Sequence, residues 1–255
     1  MAKNGLIVSL AFLQFTLNPF PSEVMFLYIL FRNVLLCQGI EYFTSHRPYV
    51  NSNYKEPNES FPGEFMLYLA QGSVLELATS YWAPAYTDKD ESPFSCVSFI
   101  PLSFAFEIIF DFFHYWVHRL MHMHPLLYKL HKTHHKHHHV RPILAFYQNI
   151  IDLVLSNSLP FTLSLQLMKV IGLRFTMFQL ALLYNYKIFI EIAGHSSRSS
   201  WPTCSFPQCI WLPRALNIEL CSDDHNIHHS RINCNYAKRF SLWDRVFGTF
   251  IRCVR

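Results

Sequence analysis

Charge and glycine are both scarce in this chain. Its 255 residues include only 7 Gly, and the charged fraction is 15%, against about 25% in an ordinary soluble domain. With so many apolar residues, so little charge excludes a disordered polymer and argues against a water-soluble domain. No GxGxxG stretch occurs, so the usual nicotinamide and flavin fingerprint is missing. CxxCH is absent too, which removes a covalently attached haem. The seven cysteines are odd in number and form no CxxC pair. They read as reduced thiols of a cytosol-facing or membrane-embedded protein. The net charge of +4 is weak and scattered, with no basic stripe interleaved with aromatics, which excludes nucleic acid as a partner.

What the chain has in quantity is apolar surface. It is 51% hydrophobic, with 24 Phe and 13 Tyr, and its mean hydropathy is +0.14. Apolar runs fall at 6–20, 24–40, 61–82, 94–113, 143–170 and 173–192. About 20 such residues cross a bilayer. The first two runs are short for that and flank Pro19-Phe20-Pro21, which predicts a tilted or partly inserted hairpin. No small-residue cleavage site follows the first run, so it reads as a retained anchor. The expected fold is all-α: an integral membrane bundle of about four or more spans carrying a helical, histidine-rich cap. Residues 1–93 would supply N-terminal membrane helices and 94–255 the histidine-bearing part of one structural unit. With a cytosolic N-terminus, the 41–60 loop with Arg47 and Lys55 faces the cytosol, the acidic turn at 87–91 faces the lumen, and the histidines return to the cytosolic side. The sequon Asn58-Glu59-Ser60 is then on the wrong side for glycosylation. Lys169 and Arg174 at the tip of the last hairpin fit that topology less well, so this hairpin is expected to stop short of the far side.

The chain is also rich in histidine, with 15, and all but His46 lie between His114 and His229. His114 and His118 stand four apart, which puts them on one helical face; His122 continues it. His131, His134 and His135 form an HxxHH group, and His225, His228 and His229 repeat it. On a helix each group shares a face, and its adjacent pair can address two neighbouring ions. His195 stands alone after the last apolar run. Imidazole suits iron, zinc, copper and nickel. Nine converging rings are too many for one four-coordinate ion and suit two. Metal-bound imidazoles hand their second N–H to a carboxylate or carbonyl, and Asp111, Asp223 and Asp224 stand where they would accept it; Glu107 shares the Asp111 face. His122 is open between ligand and such a supporting position. A single histidine on an apolar helix is ordinarily structural; an HxxxH followed by two HxxHH groups is not an accident of composition. His46 and His124, the latter before Pro125, read as bystanders, and His137, His138 and His139 as a solvated basic cluster. A zinc protease needs H-E-x-x-H, and Tyr115 follows His114 here.

The ordered set resembles the fatty acid hydroxylase/sterol desaturase superfamily. Asp111-Phe-Phe-His114-Tyr-Trp-Val-His118-Arg119 resembles its first box, and Tyr128-Lys-Leu-His131-Lys-Thr-His134-His135 its second. Gly194-His195-Ser196 is similar to the short His-Ser segment of the sterol branch. The third box and tail are matched by His225-Asn-Ile-His228-His229, by Asn233-Cys-Asn-Tyr-Ala237 and by Trp243-Asp-Arg-Val-Phe-Gly-Thr249. The Asn-Cys-Asn-Tyr-Ala stretch is most like the cholesterol-hydroxylating members. The chain departs from that branch at Asp224, where another His often stands, in the Ser-Ser-Arg-Ser-Ser run after His195, and over 201–221. The resemblance implies a non-haem di-iron enzyme of the endoplasmic reticulum membrane, its two Fe ions held by the nine histidines. It would use O2 to hydroxylate or desaturate a lipid, most readily a sterol. An unactivated C–H bond demands an oxidant that no side chain provides, so a metal must carry the chemistry. Electrons must then come from outside the chain, for this family from cytochrome b5 and its NAD(P)H reductase, with Arg119, Lys129, Lys132 and Lys136 as a docking face. Phe112, Phe113, Tyr115, Trp116, Phe146 and Tyr147 are the aromatics nearest the boxes and candidates to line a substrate tunnel. The rival reading is a membrane metal-handling protein, for example for zinc. Transporters, however, place ligands at the membrane midplane, whereas these groups sit at span ends. An inactive scaffold is disfavoured by the completeness of the boxes.

Overall fold

Proline and helix propensity together set the first hairpin. The computed structural model describes residues 2–50, 63–88, 95–137, 140–199 and 204–252. Helix α1 (Ala2–Leu17) ends just before Pro19, and α2 (Ser22–Thr44) starts directly after Pro21, whose fixed φ of −54° ends the turn. Helix α3 (Gly63–Trp82) follows, then α4 (Ser95–Met123). At 29 residues α4 is longer than a bilayer needs. Its last turns carry His114, His118 and His122. After the break at His124-Pro125 come α5 (Pro125–His131) and two short 3-10 turns, His134–Lys136 and Pro142–Phe146. Helix α6 (Ile150–Leu153) widens into a π turn at Val154–Ser158 and continues as α7 (Leu159–Val170). Helix α8 (Met177–Gly194) is opened by a capping box between Thr176 and Gln179. The short helices α9 (Trp211–Ala215), α10 (Ser222–Arg231) and α11 (Leu242–Val246) complete the cap.

The structure is all-helical, as expected: among the described residues there are isolated bridges but no strand. Three described helices are long and apolar enough to cross a membrane: Ser22–Thr44, Val97–Met123 and Ile150–Val170. Helix α1 is apolar but has 16 residues. Helices α3 and α8 interrupt their apolar runs with Gln71 and Glu76, and with Asn185, Lys187 and Glu191.

The helices alternate in direction, and all the described histidine groups lie at one end. At the other end Thr87 bridges Phe175, the Asp88 backbone N–H donates to the Phe175 carbonyl (2.8 Å), and Lys169 reaches the Ala85 carbonyl (3.3 Å). The 169–174 tip therefore reaches the same end as the start of the acidic turn. The sequon, most of that turn, and His138 and His139 lie outside the described residues.

Aromatic packing fills the bundle. Phe106, Phe110, Phe161 and Phe175 are buried together, with Phe106 edge-on to Phe161 and Phe175 at 5.2 and 5.8 Å. One polar knot interrupts it. Arg32, with no exposure, pairs with Glu76 at 2.5 Å and reaches Asn33, Gln14 and Asn185, tying α1, α2, α3 and α8 together. A buried guanidinium is tolerable only when it is paired and hydrogen-bonded.

Candidate metal centre

Five elements bring the histidines together. His118 and His122 come from the last turns of α4, His131 ends α5, His134 and His135 stand on the 3-10 turn, His195 caps α8, and His225, His228 and His229 share α10. Two groups form. His118, His122, His131, His135 and His228 present nitrogens within 4.8 Å of one another, as do His134, His195, His225 and His229. Each adjacent pair is divided between the groups: His135 and His228 go to the first, His134 and His229 to the second. The groups adjoin, with the His135 and His229 rings 4.8 Å apart.

The second box is not one continuous helix. The chain turns after His131, and the turn itself sends His134 and His135 to different groups. His122 joins the first group, while His114 joins neither. The helix rise explains this. Each four-residue step advances about 6 Å, so an ion reached by His118 and His122 lies beyond His114. The His114 ring is 5.0 Å from that of His118 and stacks on Phe110.

The outer ring nitrogens define which inner nitrogens are bare. His118 Nδ1–H donates to the Tyr236 carbonyl (2.8 Å), His228 to that of Cys234 (2.7 Å), His195 to that of Glu191 (2.7 Å) and His114 to that of Ser156 (2.7 Å). The wide π turn at Val154–Ser158 presents the Ser156 carbonyl. His131 Nδ1 lies 3.0 Å from both oxygens of buried Asp152. A carbonyl only accepts, so each of these rings carries its proton on Nδ1 and a lone pair on Nε2. Yet His118 Nε2 and His131 Nε2 are 3.1 Å apart, and the His131–His135 and His135–His228 pairs are at 3.1 and 3.2 Å. In the second group, His225 and His229 are at 3.3 Å and His134 and His195 at 3.4 Å. Two lone pairs facing each other at 3.1 Å repel. A cation between them removes the repulsion, and nitrogens about 3.3 Å apart are what a four-coordinate shell with bonds of about 2.0–2.1 Å requires. The residues present therefore fit two metal ions. Burial, followed by the neighbouring rings, holds His134, His225 and His229 neutral, far below the usual histidine pKa; burial drives His228 down to about 3. Neutral imidazole is the ligating form.

Asp111 is placed differently from the sequence expectation. Its carboxylate accepts the backbone N–H groups of Lys238, Arg239 and Phe240 at 2.6–3.0 Å, anchoring the tail on α4. Asp224 accepts the Cys221 N–H (3.1 Å) at the start of α10, and Asp223 is buried beside it. Glu107 pairs with Lys187 (2.9 Å). Asp152 and Glu191, which do touch the histidines, were not singled out from sequence. Each is the only carboxylate within its apolar run (143–170 and 173–192), and a lone acid in such a run is itself a signal.

The tail motif has a clear task. Asn235, at φ 52°, turns the chain, and its amide bonds the Asp224 and Ile251 carbonyls (2.8 and 2.7 Å). Asp244 accepts from the N–H groups of Tyr236 and Ala237, both at 2.8 Å. These bonds hold the Cys234 and Tyr236 carbonyls against His228 and His118. Of the remaining histidines, His46 and His124 are exposed, and His137 packs against Phe65 and Tyr147. Among the basic residues, Lys129, Lys132 and Lys136 are exposed, while Arg119 donates to the Tyr115 hydroxyl (2.8 Å) and lies over Trp116. Of the six candidate tunnel aromatics, Phe146 lines a cavity of about 130 Å³. None lines the larger cavity of about 710 Å³, which reaches His195 and His225.

An apolar helical bundle capped by two groups of converging imidazole nitrogens defines a class of histidine-clustered membrane proteins. Within it, this chain belongs to the fatty acid hydroxylase family, whose model matches residues 103–249. It is 32% identical over 153 residues to a fatty acid hydroxylase of Lecanicillium sp, covering 56% of this chain and 40% of the relative. It is 31% identical over 172 residues to a Delta(7)-sterol 5(6)-desaturase of Aspergillus fumigatus, covering 66% and 42%. Cholesterol 25-hydroxylase of Rattus norvegicus shares 27% over 148 residues, covering 57% and 45%. The chain thus spans less than half the length of these three relatives. No solved structure matches it.

Proposed function

We propose that this chain is a di-iron oxygenase of the endoplasmic reticulum membrane that hydroxylates, or desaturates, a lipid with O2 and externally supplied electrons. The observation that carries the reading is the convergence of ring nitrogens in two adjoining groups, with the Nε2 atoms of His118, His131, His228 and His195 left bare by their outer hydrogen bonds. His118, His122, His131, His135 and His228 would hold one iron, and His134, His195, His225 and His229 the other, with His114 supporting from one turn back. Bound iron supplies the oxidising power for an unactivated C–H bond. The chain's own residues do the rest: backbone carbonyls and Asp152 orient the rings, and the apolar bundle excludes water and delivers the lipid. A sterol is the first candidate, supported by the His195-Ser196 segment and by the sterol-named relatives. A fatty acyl lipid is the second, supported by the Lecanicillium relative. Cytochrome b5 and its reductase are the proposed donors, with exposed Lys129, Lys132 and Lys136 as the docking face on the cytosolic side.

The test is metal analysis of the purified protein together with donor-dependent O2 consumption in membranes. Sterol and fatty-acid profiling of cells with and without the chain would accompany it. Two irons per chain and a new oxidised lipid are expected. One zinc without turnover would sink the oxygenase reading in favour of a metal-handling protein.

A further inference from the structure

Tyr236 packs on the first histidine group. Its buried ring lies 5.8, 5.5 and 5.8 Å from those of His118, His122 and His228. Tyr115 of α4 stands edge-on behind it at 5.9 Å and is fully buried. Trp116 stands edge-on to Tyr115 at 5.5 Å and is 43% exposed. These are contact separations for aromatic rings. An unbroken row of oxidisable rings therefore runs from the first histidine group to the surface. The guanidinium of Arg119 covers its outer end, 5.8 Å from the Tyr115 ring and 5.9 Å from that of Trp116. Electron transfer weakens exponentially with separation, so rings in contact carry charge where a wider gap would not.

A phenol gives up an electron readily only when its proton can leave as well. The hydrogen bonds at Tyr115 run in one direction. Arg119 Nη1 donates to its hydroxyl (2.8 Å), the hydroxyl lies 3.2 Å from Thr249 Oγ1, and Thr249 Oγ1 donates to Asp244 Oδ1 (2.7 Å). A guanidinium only donates and a carboxylate only accepts. The Thr249 hydrogen is thus committed to Asp244, and the Tyr115 hydrogen points at Thr249. Burial holds the Asp244 carboxyl above the ordinary carboxylate range, which makes it a better proton acceptor.

The geometry points to an escape relay: Tyr236, Tyr115 and Trp116 carry oxidising equivalents out of the metal cap when no lipid C–H bond is there to consume them. The step balances. Tyr115 loses an electron, through Tyr236, to the oxidised cap and its proton to Thr249, whose own proton passes to Asp244. Trp116 then returns an electron to Tyr115 while the protons move back, and a one-electron reductant at the surface, ascorbate or a thiol, refills the indole. The cap ends one electron more reduced and the chain unchanged. Excluding competing oxidation is the protein's task around any such centre. The relay rests on the oxygenase reading for its oxidant and on neither choice of lipid.

The test exposes the purified full chain, iron-loaded and reduced, to hydrogen peroxide in detergent with no lipid substrate added. Samples frozen at intervals are read for a tyrosyl radical by electron paramagnetic resonance, and peptide mass mapping then locates oxidised side chains. A tyrosyl signal is expected, with oxidation products on Trp116. Tyr115→Phe should lose the signal and most of the Trp116 product at unchanged iron content. Trp116→Phe should lengthen the life of the signal and slow its quenching by ascorbate. Thr249→Val, which removes the proton outlet, should lower its yield. Should Tyr115→Phe fail to fold, Trp116→Phe, at an exposed ring, still decides. A signal unchanged in Tyr115→Phe, or a lifetime unaffected by Trp116→Phe, would overturn the proposal. So would a signal lost only in Tyr128→Phe, whose ring lies 5.9 Å from that of His122 on another side. Iron content and lipid oxidation are read on the same preparations. Iron and lipid turnover without a tyrosyl signal would sink the relay alone, and a chain holding zinc and no iron would sink the oxygenase reading and the relay with it.

Discussion

His131 has both ring nitrogens committed, one to Asp152 and one to the converging group. Removing the partner of a ligating histidine ordinarily costs about 10–100-fold in metal affinity. Asp152→Ala should show that loss in metal content after dialysis against graded chelator; full retention would free His131 of this dependence. The placement of α4 separates two rings that the HxxxH pattern presents as equals. His122→Ala should lose more metal than His114→Ala under the same dialysis, and the reverse order would mean that the nearer site lies a turn deeper. At this scale the sequence is legible for the ligands and poor for their supports. A box of histidines is visible as spacing. The Ser156, Cys234 and Tyr236 carbonyls that define the tautomers belong to the backbone, and no residue type announces them.

Among elements, the Arg32 knot has the largest energetic stake. Arg32→Ala leaves Glu76 buried without its partner, a change worth about 3–5 kcal/mol. It should lower the Tm of the purified protein, and Arg32→Met with Glu76→Met should recover most of the loss. No change in the single variant would show that water already reaches Glu76. The apolar runs marked the helices well, including the continuation of α4 through His122 and the hairpin around Pro19 and Pro21. They did not distinguish α3 and α8, whose polar residues face inward to Arg32 and the cap, from lipid-facing spans. Hydropathy sums a window and is blind to which face of a helix a Gln or Glu occupies. The break after His131 was equally hidden, because HxxHH fits a helix as well as the turn that forms.

The whole molecule couples proton uptake to the metal cap. His228, held near 3 by burial, has an ordinary value of about 6.5 when the chain unfolds. Below that value the unfolded chain takes up the proton first, so stability is retained above about pH 6.5 and lost as pH falls. The loss is up to about 1.4 kcal/mol per pH unit for such a group. Metal-stripped protein should therefore show a Tm that falls steadily on acidification from neutrality, and a Tm that rose on acidification would contradict neutral burial of these rings.

The two ligand groups draw on chain segments from His118 to His229, spanning the cap from the end of α4 to α10. The helices that precede α10 can enter the bilayer while the ribosome is still adding residues beyond α8. Until His225, His228 and His229 emerge, each group lacks at least one ring, and only the finished α10 closes the cage over α4 and α8. Neither group is therefore complete before α10 has been made and has docked, so the integrity of both groups reports on the docking of that one short helix.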